Sequence, residues 1–185
     1  MKIIGISGKL GTGKSLLAEK LRPYGFVRVS LAAPLKQMCM ELYGFTTDQV
    51  WGEGKDKPSS YFRHKEHSGK IVFYTPRDIL IREGWLKRCI DKDFWCKWLL
   101  KSLNPDQDFV IDDIRFQNEL DFFKKLGAKF VRLERDTKLI GKEPLSDISE
   151  CDLDQYVEWD GFLTAQYNKC PHDLEQFAEY LVNHL

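Results

Sequence analysis

The chain has 185 residues, 43% hydrophobic and 30% charged, an ordinary balance for one globular domain with a substantial core. Lys plus Arg and Asp plus Glu number 28 each, so no overall positive field draws the molecule onto nucleic acid or an anionic membrane, and any anion site has to be local. Five cysteines without a CxxC pair suit neither a disulfide framework nor a zinc site, and no apolar run reaches a signal peptide or the ~20 residues of a membrane span, so a reducing cytoplasm is the expected compartment.

KIIGIS, residues 2–7, is a β-branched run that ends at glycine, and SLLAEKLR after it repeats its apolar residues at helical spacing. The opening therefore reads strand, loop, helix. A second strand is expected at Phe26 to Ser30. The next helix starts near Pro34, places Leu35, Met38, Cys39 and Leu42 on one face, and ends at Gly44. Residues 45–74 are the least regular part and read as an excursion from the core, a hairpin or a loop. His64 and His67 within it are expected on an exposed polar loop, since no third metal ligand lies near.

In TPRD, Thr75 can cap a helix with Pro76 at its first position and Asp78 in its first turn. A Trp- and Leu-rich helix covers Phe94 to Leu103 and stops at Asn104 and Pro105; the spacing of Trp85, Trp95 and Trp98 favours the core over stacking on a base. DFVIDD, residues 108–113, is a buried-strand run capped by acids. The helix from Gln117 to Leu126 is closed by Gly127, and Lys129 to Leu133 is a further strand. Residues 134–154 are polar and loop-like. GFLTAQY is the last expected strand, followed by a helix with Leu174, Phe177, Ala178, Leu181 and Val182 on one face.

Strands alternating with helices predict an α/β fold with a parallel sheet of about five strands flanked by helices, in a single domain over 1–185. Ligands in such sheets sit at the carboxyl ends of the strands, and GKLGTGKS leaves the first strand there. Its residues fit GxxxxGK[ST], the phosphate-binding P-loop: Gly8, Gly11 and Gly13 let the backbone wrap with its N–H groups inward, Lys9, Thr12 and Lys14 line the loop, Lys14 reaches the β and γ phosphates, and Ser15 ligates Mg²⁺. The loop is expected to hold ATP with Mg²⁺. Asp112 and Asp113 stand where a carboxylate orders that metal, and strand alternation leads us to assign Asp113.

No NKxD guanine reader is present, because NKCPHD has Pro171 where its Asp should stand, and Ile114 with Arg115 replaces the Glu a motor ATPase places after this acid. A kinase is the class left. LAAPLKQMCMELYGF, TPRDILIREGW with DKDFWCKWLL, VIDDIRFQNELDFFKKLGAKFVRLER, DISE, and the last strand with Asn168 and the final helix resemble, in order, the deoxynucleoside monophosphate kinases of bacteriophages. The resemblance covers most of the chain except 45–74. It implies a P-loop kinase fold similar to adenylate kinase and transfer of phosphate from ATP to a deoxynucleoside monophosphate.

It also implies that Lys36, Arg77 and Arg115 meet the acceptor nucleotide or the transferring group, with Lys14, Arg115 and Asp113 the catalytic set. Cations are what two approaching phosphates need. Residues 134–154 resemble a lid carrying Arg135, Lys138 and Lys142, of which Arg135 is assigned to the donor. Ala33, Asp147 and the Gly84–Trp85 pair depart from the family's common Asp, His and Gly-Thr. The alternatives are a P-loop kinase acting on a hydroxyl, in hydroxymethylated DNA or dephospho-coenzyme A, and a nucleotide-binding regulator with no acceptor. Small-molecule nucleotides are the expected partners, with no membrane and no nucleic acid. A homodimer is compatible with the sequence, and host cytoplasm is the expected location.

Overall fold

IIGIS is buried at every position, as a strand covered on both faces must be, and forms β1 (Ile3–Ser7). A computed structural model describes residues 1–58, 62–135, 152–165 and 170–184, apart from the side chains of 135, 165, 170 and 171. After β1 come α1 (Lys14–Leu21), β2 (Phe26–Val29), α2 (Ala32–Tyr43), α3 (Thr47–Trp51), β3 (Arg63–Lys65), β4 (Ile71–Phe73), α4 (Pro76–Ile90) and α5 (Phe94–Ser102). β5 (Asp108–Ile111), α6 (Gln117–Lys124), β6 (Lys129–Arg135), β7 (Gly161–Ala165) and α7 (Cys170–His184) complete the order.

The chain divides into two compact units, one made of 1–31 with 99–185 and one of 32–98. The first contains a five-stranded sheet in the order β2-β5-β1-β6-β7, parallel throughout. β1 lies at its centre, with Gly5 opposite Ile111 on one side and Phe130 on the other. One face packs Ile4, Ile6, Val110, Val131 and Leu133 against Leu17, Ala18 and Leu21 of α1 and Leu174, Phe177, Ala178 and Leu181 of α7. The stripe expected for α7 packs on the sheet, whereas in α1 Leu16 is exposed and Leu17, Ala18 and Leu21 form the buried face; that burial is the main force holding α1 behind the loop.

The second unit has its own core, Cys39, Phe45, Val50 and Ile79, with Leu35, Met38, Tyr43, Phe62 and Tyr74 packed on it. The irregular stretch resolves here into α3, a 3-10 turn at Glu53–Asp56 and the antiparallel hairpin of β3 and β4. α3 starts at a reciprocal cap, Thr46 with Gln49, and α4 starts at the Thr75 and Asp78 cap that TPRD suggests. Trp95 is buried and donates its indole N–H to the Gly84 carbonyl at 3.1 Å, as a core residue. Trp85 and Trp98 are both exposed and so depart from the core expectation, although the Trp98 ring stacks on Trp95. His64 and His67 are exposed, and the His64 ring stacks on Tyr74. Among the described residues no group of three metal-ligating side chains occurs, and no helix is long and apolar enough to cross a membrane.

Candidate active site

The loop is shaped by glycine. Gly13 caps α1 at φ 100°, a left-handed conformation that side-chain-bearing residues rarely adopt, and a Cβ on Gly8 would stand 2.4 Å from the Leu133 carbonyl oxygen. Buried Thr12 donates its hydroxyl to the Lys9 carbonyl at 2.9 Å and closes the turn. Lys14 folds back over the loop and donates to the carbonyls of Gly8 and Lys9. α1 has no acid in its first turn, so its partial positive charge is left for an anion.

Asp112 follows β5 and is 5% exposed. Its Oδ2 accepts from the Ser15 hydroxyl at 3.0 Å and from Arg28 Nε at 2.8 Å, with Arg28 Nη2 at 2.6 Å. Asp113 turns elsewhere: it accepts from the Ser30 hydroxyl at 2.6 Å and the Leu31 backbone N–H at 2.7 Å. Of the two acids, it is Asp112 that meets the Ser15 hydroxyl, and not Asp113, to which strand alternation assigned the metal. Val110 belongs to the face that packs on α1, so two residues further along the same face Asp112 emerges beside Ser15, and Asp113 has the opposite parity.

Arg115 begins the turn into α6. Its backbone N–H and that of Phe116 both donate to Oε2 of Glu119, at 2.9 and 3.1 Å, and Glu119 is 2% exposed. Glu119 thus anchors the main chain that carries Arg115.

Lys9 forms an ion pair with Asp154 at 3.4 Å, and Asp154 also takes Arg132 at 2.9 Å. Buried Arg132 donates to Ser7 Oγ at 3.1 Å and lies 5.8 Å from the Trp159 ring centroid. Lys9, Arg132, Glu134, Asp154, Tyr156 and Trp159 help to line a cavity of about 360 Å³ beside the loop. Arg135 ends β6, but its side chain lies outside the described residues, as do Lys138, Lys142, Asp147, DISE, Asn168 and most of the lid-like 134–154.

The residues that the resemblance assigns to the acceptor, apart from Arg115, belong to the second unit. Lys36 on α2 sits 5.3 Å from the Trp51 ring centroid. Arg77, at the start of α4, grips Asp56 through Nε and Nη2, and this hydrogen bonding holds the Asp56 carboxyl below its ordinary range. Tyr43 donates to Glu83, which, with partial burial, pushes the phenol up to about 12; burial, then Glu83, pushes the Cys39 thiol up to about 11. Arg28, Asp154 and Glu83 escaped the sequence reading. An arginine in the middle of FVRVS, on a strand otherwise apolar, was the one visible signal among them.

No family model matches the chain. Among solved structures it is similar over 99% of its length to dephospho-CoA kinase from Campylobacter jejuni, with 98% of that chain covered, 13% identity and a TM-score of 0.53. TT1252 from Thermus thermophilus is similar over 99% of this chain and 97% of its own at 16% identity, also with a TM-score of 0.53. Both likenesses are of fold. An uncharacterized protein, ORF76, of Ictalurid herpesvirus 1 (strain Auburn) is 28% identical over 131 residues, 58% of this chain and 54% of that one. A protein of Acanthamoeba polyphaga mimivirus, which bears the provisional name deoxynucleotide monophosphate kinase, is 35% identical over 147 residues, 73% of this chain and 75% of its own. At that identity and coverage, on a five-stranded parallel sheet with a phosphate loop at the end of its central strand, the chain belongs to the viral deoxynucleotide monophosphate kinase-like family and has the P-loop kinase fold.

Proposed function

We propose that the chain transfers the terminal phosphoryl group of ATP to the phosphate of a deoxynucleoside monophosphate, giving ADP and the diphosphate. The observation that carries this is the loop itself, GKLGTGKS, with the Ser15 hydroxyl tied to the buried Asp112 carboxylate, in a chain whose mimivirus relative bears that name.

The backbone N–H groups of 8–15 and the start of α1 receive the donor phosphates, and Lys14 exchanges the carbonyls of Gly8 and Lys9 for phosphate oxygens. Ser15 and Asp112 are hard oxygen donors 3.0 Å apart, a pair suited to Mg²⁺, and are the residues that would hold it. When bound with the triphosphate, that ion supplies charge neutralisation. Lys36 and Arg77 receive the acceptor, and Arg77 trades the exposed Asp56 carboxylate for a phosphate of similar bidentate geometry. Arg115 takes up charge on the transferring group, on a main chain held by Glu119.

A phosphate acceptor is favoured over a hydroxyl by what the two acids already do. A hydroxyl needs a base to take its proton, whereas a phosphate with a second pKa of about 6 is largely ionised at neutral pH. Asp112 is engaged by Ser15 and Arg28, and Asp113 by Ser30 and the Leu31 N–H. The test is a panel of the common deoxynucleoside monophosphates, hydroxymethylated DNA and dephospho-coenzyme A, each with labelled ATP and Mg²⁺, followed by product separation. A diphosphate from at least one monophosphate, with DNA and coenzyme unlabelled, is expected. Label found only on a hydroxyl would overturn the proposal, and no transfer at all would favour a regulator.

A further inference from the structure

Three donors converge on one oxygen of Asp112. The Ser15 hydroxyl, Arg28 Nε and Arg28 Nη2 all reach Oδ2, within 3.0 Å, while none of these bonds uses Oδ1. Arg28 stands on β2 opposite Val110 of β5, two residues before Asp112. Its Nη1 also reaches Oε1 of Glu19 on α1 at 3.3 Å, and Glu19 is held in turn by Arg22 at 3.0 Å. The guanidinium is thus fixed from two sides, by the end of β5 and by α1.

This arrangement is unusual for a carboxylate whose task is to order a cation. Such a group acts through its charge, and here the charge is already offset by an arginine at 2.6 Å. The carboxylate is 5% exposed, so solvent does little to screen the charge that would remain if Arg28, whose side chain is 38% exposed, were gone. Ser15 and Asp112 nonetheless keep the right oxygen chemistry for a divalent ion, and Oδ1 is not used by any of the three donors.

We propose that Arg28 is a positioning residue that makes divalent-metal loading conditional on nucleotide. By offsetting Asp112 it keeps Ser15 and Asp112 from retaining a free cation, and the negative triphosphate restores the attraction. The metal therefore enters with the nucleotide, while the empty loop stays clear of a cation that would repel Lys14. The proposal rests on the assignment of the loop to a nucleotide and not on the nature of the acceptor.

The experiment is a titration of the nucleotide-free full chain with Mn²⁺, read by electron paramagnetic resonance, for wild type, Arg28→Gln, Arg28→Lys, Asp112→Asn and the Arg28→Gln/Asp112→Asn pair, with thermal melts for each. Removing a unit charge this close to the site makes a tightening of at least about tenfold the expected result for Arg28→Gln. Arg28→Lys, which keeps the cation, stays near wild type, and the double variant loses the gain. A merely structural arginine would leave Mn²⁺ affinity unchanged or weakened in Arg28→Gln, which overturns the proposal. Should Arg28→Gln lose its cooperative melt, wild type decides: one Mn²⁺ held per chain without nucleotide, and removed by Asp112→Asn, also overturns it, and its absence supports it. No phosphoryl transfer occurs in this titration, so failure of the monophosphate panel would sink the proposed reaction and leave this result standing.

Discussion

Asp112 and Asp113 are adjacent and chemically identical, and the structure gives them different work. Asp112 joins the phosphate loop to Arg28; Asp113 ties down the turn after β2 through Ser30 and Leu31. Asp112→Asn should therefore cut turnover by about a hundredfold, the scale on which one preorganised electrostatic group acts, with little change in fold. Asp113→Asn should instead lower stability by about 1–3 kcal/mol, the cost of leaving partly buried donors poorly satisfied. Steady-state kinetics and urea unfolding on both variants check this, and the reverse pattern would return the metal role to Asp113. The loop residues Gly8 to Ser15 were legible because their spacing is the chemistry. The choice between the two acids was not, since alternation fixes a face only once one residue of the strand has been anchored. Val110 against α1 is that anchor, and it is visible only in the packing.

At the scale of elements, regular pieces could be read and small ones could not. β1, α1, β5 and α7 announce themselves by long apolar runs or stripes, and TPRD announces the cap of α4. The β3–β4 hairpin has three residues in each strand, mostly exposed, so it presents no alternating pattern to find. α3 has five residues, and its start at Thr46 is marked only by Gln49 three positions on. Val50 of α3, with Phe62 and Tyr74 at the ends of the hairpin, nevertheless packs in a core with Cys39, whose burial has a measurable consequence. Burial, then Glu83, lifts the Cys39 thiol to about 11, above its ordinary value, so the folded state holds this proton more tightly than the unfolded chain does. The stabilisation this gives is complete below the unfolded thiol's pKa, near 8.5, and is lost as pH rises toward 11. Urea midpoints measured from pH 8 to 10.5 should therefore fall less steeply in Cys39→Ala than in wild type. Equal slopes would mean that the thiol does not sense its burial.

Over the whole molecule, the phosphate loop depends on residues far from it in sequence. β1 is hydrogen-bonded to β5 and β6, pairing Ile3 with Phe109 and Ser7 with Arg132, and Gly8 fits against the carbonyl of Leu133. The first unit is correspondingly discontinuous, 1–31 with 99–185, around the continuous 32–98. A parallel sheet assembled from such distant strands gains little until all are present, because loop closure has to be met before the pairs form. A motif search finds GKLGTGKS in eight residues, but the anion site it makes belongs to some hundred more. This separates two views of the motif by experiment. If the loop works as a local peptide, the fragment 1–98 should bind ATP as the full chain does. If it needs β5 and β6 on either side, only the full chain binds. Saturation at about a hundred times Kd stabilises a folded state by about 2.7 kcal/mol, several degrees in Tm for a chain of this length. The full chain should therefore show an upward shift of that order with ATP and Mg²⁺ in differential scanning fluorimetry, and the fragment none. An equal shift in the fragment would place the binding energy in the loop and α1 alone, and would remove the sheet from the account of how nucleotide is held.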